Sequence, residues 1–433
     1  MPLTNSIAAR VRRTLAASQY VRDITWILSG NALAQFIGIA SMPILTRIYE
    51  PEHFAIANIF LQIVSCLAIL QSWRIEYFIL LCKDKDEAKK VLEFVSCLGI
   101  TIGTILTIYI SFYANEIAHY FGNQNLKSWL ILAPLNAWLL CMAVALQQYI
   151  QHSLDFKNSG LSETVGKTSY VISGLIGATG IQAFGGLIIS AIIGAGCKCI
   201  WLWNYSHIKL KWRSKPVLKE LQDAIKPYRK LALSTTFASG LSLISGMAPL
   251  IFIGKSYGQE NLGQLSLVIS TLYLPSGLIG GAIGQVFYQR ASQLYSQGKP
   301  FYNIWRDTAI KLIKIGIPLY ICIGILSPLA YPMIFGAKWQ QAGEFGLIMA
   351  ISSGISFVTS PLDRISMIVR AWKYQIIWNL LRVSCVFFVI YCAILFKWSI
   401  IQFLIAHVIQ MSIVYLVDWL AGMRFANSTK GTH

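Results

Sequence analysis

The stretch Val91–Tyr113 reads VLEFVSCLGITIGTILTIYISFY, with one charged side chain, Glu93. A bilayer core of about 30 Å is crossed by about 20 apolar residues in a helix, because lipid offers no partner to an open backbone amide. Eleven other stretches meet the same measure, at residues 23–46, 54–73, 128–149, 164–181, 185–205, 231–254, 264–288, 312–335, 344–363, 375–396 and 398–420. The 164–181 stretch is short and rich in glycine, with Gly174, Gly177 and Gly180. The chain therefore reads as an all-α integral membrane protein of about twelve transmembrane helices.

Composition agrees. Of 433 residues, 55% are hydrophobic and 12% charged, about half the charge of an average soluble protein. A soluble enzyme, a disordered chain and a disulfide scaffold are excluded. Nine cysteines lie mostly within spans, without CxxC spacing, so neither disulfides nor a metal site is expected. Lys and Arg number 36 against 18 acids. Twenty-nine of the 36 fall in the N-terminal arm, the C-terminus and every second loop, five on the opposite side, and Lys198 and Arg382 inside spans. This asymmetry is what membrane insertion produces; it places both termini in the cytoplasm and requires no nucleic acid. Residues 1–22 have no apolar core before Ile24, so the first span serves as its own insertion signal.

An internal match suggests two halves. Tyr49, Glu52, Phe54 and Ala55 correspond to Tyr257, Glu260, Leu262 and Gly263 at an offset of 208, and Pro43 and Pro249 fall late in the preceding spans. The expected organisation is an N-terminal arm at 1–22, a six-helix bundle at 23–205, a basic linker at 206–230, a second six-helix bundle at 231–420 and a tail at 421–433. Such parallel repeats occur in transporters that hold substrate between their halves. Pro43 and Pro249 would let the first and seventh helices bend for gating, or be simple tolerated kinks.

No catalytic machinery is evident. Gly166-Lys167-Thr168 and Gly254-Lys255-Ser256 lack the earlier glycine of a phosphate-binding loop, having Leu161 and Pro249 there. No HExxH or GxSxG motif appears, and no cofactor is implied. The outer loops are short, which argues against a membrane glycosyltransferase or polymerase.

Ionisable groups inside the membrane are expensive and mark candidate sites. Lys198 and Arg382 lie seven residues from the cytoplasmic end of their spans, where they either snorkel to headgroups or face a hydrated cavity and attract an anion. His407 is too deep to snorkel; a coupling proton and an interhelical hydrogen bond are both open to it. Asn31 and Gln35 share one helix face and either line a cavity or join helices. Arg74 and Glu76 end the second span. Two residues apart, they would not pair within one helix, and pairing across to another element would make an inner gate. No acid is expected at mid-span depth, which argues against an exporter of small cations.

The stretch Ser41-Met42-Pro43-Ile44-Leu45-Thr46-Arg47-Ile48-Tyr49-Glu50-Pro51-Glu52-His53-Phe54-Ala55, followed by Trp73-Arg74-Ile75-Glu76-Tyr77-Phe78 and the charged turn Lys83 to Glu87, resembles the Wzx-type polysaccharide biosynthesis flippases of the superfamily that also holds MATE exporters and lipid II flippases. Ala55 stands where that pattern has Gly, and Phe78 where it has a small residue. The resemblance implies a non-enzymatic flippase of the bacterial inner membrane. Its substrate would be an undecaprenyl-diphosphate-linked oligosaccharide for O-antigen or a related surface polysaccharide, with a proton or sodium ion as candidate coupling ion. Membrane lipids and other glycan-assembly proteins are the expected partners. The resemblance also implies cationic lumen residues for the diphosphate, which would be Lys198 and Arg382. His407, Asn31 and Gln35 complete the candidate substrate-binding residues, and Arg47 joins Arg74, Glu76, Pro43 and Pro249 as a candidate gating residue.

Overall fold

A computed structural model describes residues 3–180, 183–208, 226, 229–363, 365–369 and 371–427. Among these the regular structure is helical: α1 (Leu3–Ile48), α2 (Pro51–Ser72), α3 (Lys85–Tyr120), α4 (Ala133–His152), α5 (Phe156–Gly180), α6 (Ala183–Ser206), α7 (Arg229–Ser256), α8 (Gln259–Pro275), α9 (Tyr302–Phe335), α10 (Gln340–Thr359), α11 (Trp372–Leu395) and α12 (Ile400–Asn427). Most stretches expected to span fall on one of these helices; 128–149 begins in a short helix, Lys127–Leu130, ahead of α4, and 264–288 runs beyond the end of α8. Among the described residues, ten helices are long and apolar enough to cross a membrane, or eleven if Gln124–Leu130 and Ala133–His152, bent by 57°, form one broken span. The chain is thus a multi-pass membrane protein. The exception is α5, whose first half carries Lys157, Asn158, Glu163 and Lys167 and leaves too short an apolar run.

Several expected boundaries move. α1 runs unbroken through residues 22 and 23, so the arm and the first span are one helix. α5 starts at Phe156 rather than 164, which brings Glu163 into the helix that carries Lys167. α8 continues through a π turn at Ser276–Gly280 into Gly281–Ser296. α1 and α7 pass through Pro43 and Pro249 without interruption. Most of the 206–230 linker and the end of the tail lie outside the described residues.

Five helix pairings recur at corresponding positions of the two halves. α1 packs on α5, α5 on α6, α4 on α6, α3 on α4 and α2 on α4; correspondingly α7 packs on α11, α11 on α12, α10 on α12, α9 on α10 and α8 on α10. The sequence-matched tyrosines behave alike: Tyr49 Oη donates to Gly174 O at 2.6 Å, and Tyr257 Oη to Trp398 O at 2.9 Å. Tyr49 ties the corner after α1 to the last third of α5, and Tyr257 ties the corner after α7 to the turn between α11 and α12, at the face that loop charge assigns to the outside, the outer face.

Candidate functional site

The hydrogen bonds and ion pairs that join the two halves cluster at the outer face. Lys338 follows α9 and reaches across to the α1–α2 corner, with Nζ 2.9 Å from Glu50 Oε1 and 3.4 Å from Arg47 O. Beside it Trp339, fully buried, donates Nε1–H to Thr46 O at 2.9 Å and packs edge-on against Phe54. Gln264 holds this corner from α8, donating to Lys338 O at 2.6 Å and accepting from Ala342 N at 3.0 Å. Gln259 Nε2 lies 3.4 Å from Phe121 O, and Lys255 Nζ stands 3.9 Å over the Tyr120 ring. The first turns of α2 and α8 approach so closely that a Cβ on Gly263 would overlap the Pro51 carbonyl. The seam thus has a close backbone approach with one ion pair, one cation–π contact and several hydrogen bonds around it.

Of the expected gating residues, Arg47 belongs to this seam through its carbonyl, while its side chain is exposed. Sequence reasoning missed Glu50, Gln264, Lys338 and Trp339 as a group. Their only signal was opposite charge at the corners after α1 and α9, which spacing cannot pair.

At the other end of α2, Trp73 and Arg74 both adopt left-handed backbone, φ 49° and 57°, an uncommon state for side chains with a Cβ. The helix therefore stops, and a separate 3₁₀ helix runs over Ile75–Leu81. This break corrects the expectation for Arg74 and Glu76. The helical rule that keeps i and i+2 apart does not apply here, and the two pair within the segment at 3.7 Å. Arg74 also stacks on Tyr77, 5.5 Å from the ring centroid, and Glu76 is 2% exposed. Burial raises the Glu76 carboxyl pKa above its ordinary 4.5, while its own backbone amide, Ser72 and Arg74 pull it down. A folded-state pKa above the unfolded one makes this group's contribution to stability greatest at acid pH and smaller as pH rises through the folded value. Arg74→Ala should steepen that decline by on the order of 1 kcal/mol between about pH 5 and about pH 8, and Glu76→Gln should flatten it. Melting of the detergent-solubilised variants at the two pH values measures both.

The expected anion-binding pair is not placed as sequence suggested. Lys198 on α6 donates to Glu163 Oε1 on α5 at 2.7 Å, and Gln147 Nε2 donates to the same oxygen at 3.0 Å. An acid therefore does lie at the depth of Lys198, which removes one argument against a cation exporter. Lys167, one turn farther along α5, has no carboxylate partner among the described residues. Its Nζ stands 4.9 Å over the Tyr170 ring, and its Cε would lie 2.6 Å from a Cβ on Gly38, so the smallness of Gly38 admits it beside α1. A fifth span begun at 164 leaves Glu163 outside it, and the loop-charge tally counts Lys167 with the preceding 150–167 stretch.

Arg382 lies inside the second half, near His407 and Asp418, with its buried Nε lacking an acceptor among the described residues. His407 stacks parallel on Phe403 at 6.0 Å. Asp418 accepts from Tyr374 Oη at 2.5 Å and shares a small cavity with Asp363. Lys198 and Arg382 thus belong to separate polar groups. On α1, Gln35 Nε2 would lie 3.8 Å from a Cβ on Gly277, in the π turn of α8; α1 and α8 meet there, between the halves. Asn31 lies one turn away and half-buried. No cluster of three or more His, Cys, Asp or Glu suited to a metal occurs among the described residues.

The family model described as polysaccharide biosynthesis protein matches residues 44–344. The chain belongs to this family. Among its relatives, the capsular polysaccharide biosynthesis protein CapF of Staphylococcus aureus is 23% identical over 88% of this chain and 92% of its own length. The lipopolysaccharide biosynthesis protein WzxC of Escherichia coli K12 is 19% identical, over 82% and 70%. In fold the family member resembles the lipid II flippase MurJ in an inward closed conformation, with TM-score 0.71 and 15% identity over 93% of this chain and 87% of that one. An inward-facing multidrug MATE transporter aligns at TM-score 0.56 and 14% identity, over 92% and 94%.

Proposed function

We propose that the protein is a flippase carrying a polyprenyl-diphosphate-linked oligosaccharide repeat unit from the cytoplasmic to the outer leaflet of the bacterial inner membrane, and that this structure is its state closed to the outside. The supporting observation is the seam: two halves that share several helix pairings meet at the outer face through a few polar contacts that can break and re-form as the halves rock. A hydroxyl-rich head group with two phosphates cannot cross hydrocarbon, since each unpaired polar group costs several kcal/mol. A path between the halves removes that cost, and the polyprenyl tail stays in lipid, past the contact of Gln35 with the α8 π turn. The process makes or breaks no covalent bond.

Glu163 favours a second reading, export of a small organic cation. Lys198 already neutralises it, however, and Lys167 leaves that group with net positive charge, which suits an anionic head group. Lys167→Ala should lower flipping about tenfold or more without loss of protein, and Lys167→Arg should retain most of it. The assay is exposure of a fluorescent polyprenyl-diphosphate oligosaccharide on the far leaflet of proteoliposomes. Flipping of an organic cation but not of this lipid would establish the second reading.

A further inference from the structure

A groove of about 930 Å³ runs along the second half, with α10 as floor and α9 and α12 as walls. Ile317, Ile321, Ile325, Ile351, Ile409 and Ile413 line it and are exposed. Two of the polar groups that reach it have internal partners: Tyr320 Oη donates to Leu272 O at 2.7 Å, and Ser412 Oγ to Val408 O at 2.7 Å. Thr359 Oγ1 and Trp419 Nε1, also in the lining, have no hydrogen-bond partner among the described residues. On α9 the lining runs from Ile313 to Ile325, about 18 Å at ~1.5 Å per residue. That matches one leaflet, roughly half of a ~30 Å hydrocarbon core, and is short for a chain the length of a polyprenyl tail.

The end of the groove toward the cytoplasm is marked by charge. Lys314 precedes Ile317 by three residues and Ile321 by seven, so it lies on the groove-facing side of α9, and Lys311 lies one turn before it. Both are exposed, and neither has a carboxylate partner among the described residues. Basic residues where a cleft between helices meets the inner interface are suited to anionic lipid headgroups.

We propose that this groove binds one anionic phospholipid of the cytoplasmic leaflet, with acyl chain along the Ile-lined wall and phosphate on Lys314 and Lys311. The site is separate from the path between the halves and does not depend on which substrate the protein carries.

The test is native mass spectrometry of the full chain released from nanodiscs of mixed phosphatidylglycerol and phosphatidylethanolamine. One phosphatidylglycerol should be retained in preference to phosphatidylethanolamine. Lys311→Gln/Lys314→Gln should weaken that retention about tenfold, and Ile351→Trp, which fills the groove, should abolish it. Ile409→Phe serves as a second filling variant should the tryptophan impair folding. Equal retention of the two lipids, or a preference that survives the lysine changes, would overturn the proposal. So would retention of undecaprenyl phosphate over phosphatidylglycerol, lost in the filling variants, since the groove would then hold the polyprenyl tail.

Discussion

Gly263→Leu is expected to open the outer face. The atoms that a Cβ at 263 would meet are the backbone of Pro51, so no change of rotamer relieves the overlap and the first turns of α2 and α8 must separate. The surrounding bonds are short and directional, at 2.9 Å for Glu50 to Lys338, 2.9 Å for Thr46 to Trp339 and 2.6 Å for Gln264 to Lys338. A separation of even ~1 Å would break them, because hydrogen bonds weaken steeply beyond about 3.5 Å. Packed interfaces are bistable rather than elastic, so the closed seam should be lost as a unit. Spin labels at residues 52 and 260, both exposed at the outer end, should report a distance increased by about 5 Å or more. Flipping should fall at least about tenfold, since a carrier held in one state cannot complete its cycle. Ala55, the repeat mate of Gly263, can be changed to Gly with little effect on either readout. An unchanged distance distribution in Gly263→Leu would mean that the seam is not the outer gate.

Lys198→Ala is expected to harm the protein by a different route. It leaves Glu163, 30% exposed, with a charge answered only by Gln147. Breaking a buried pair costs about 3–5 kcal/mol, and partial exposure reduces this to about 2 kcal/mol here. Lower melting temperature and lower abundance should accompany lower flipping. Glu163→Gln/Lys198→Gln removes both charges together and should restore stability and most of the activity. If Lys198 instead receives the diphosphate, the double variant will be as stable as the native chain yet inactive. Lys167→Ala provides the comparison, because a lysine with no carboxylate partner among the described residues can be removed without stranding any of their acids: its loss should affect flipping while melting stays within ~0.5 kcal/mol of native.

Some of this could be read along the chain and some could not. The second-span residues show why. Arg74 and Glu76 were visible as a charged pair, but their spacing was judged by helical geometry. Two left-handed residues at 73 and 74 replaced that geometry with a break that no local pattern announces. The fifth helix failed differently. Its polar first half hid its start, and with it Glu163, so Lys198 looked unpaired.

The sequence by itself determined that the chain crosses a membrane many times and which face collects the positive loops. Both follow from transfer free energies that each segment carries alone. The tyrosine match at 49 and 257 hinted at repetition, because each half solves the same corner with the same residue. Only the tertiary structure decided which charges neutralise one another, that Lys338 belongs with Glu50 across 288 positions, and that glycine at 263 lets two helix ends touch. Those are properties of distance in space, and in a low-dielectric interior a few ångströms determine whether a charge is stabilised or stranded.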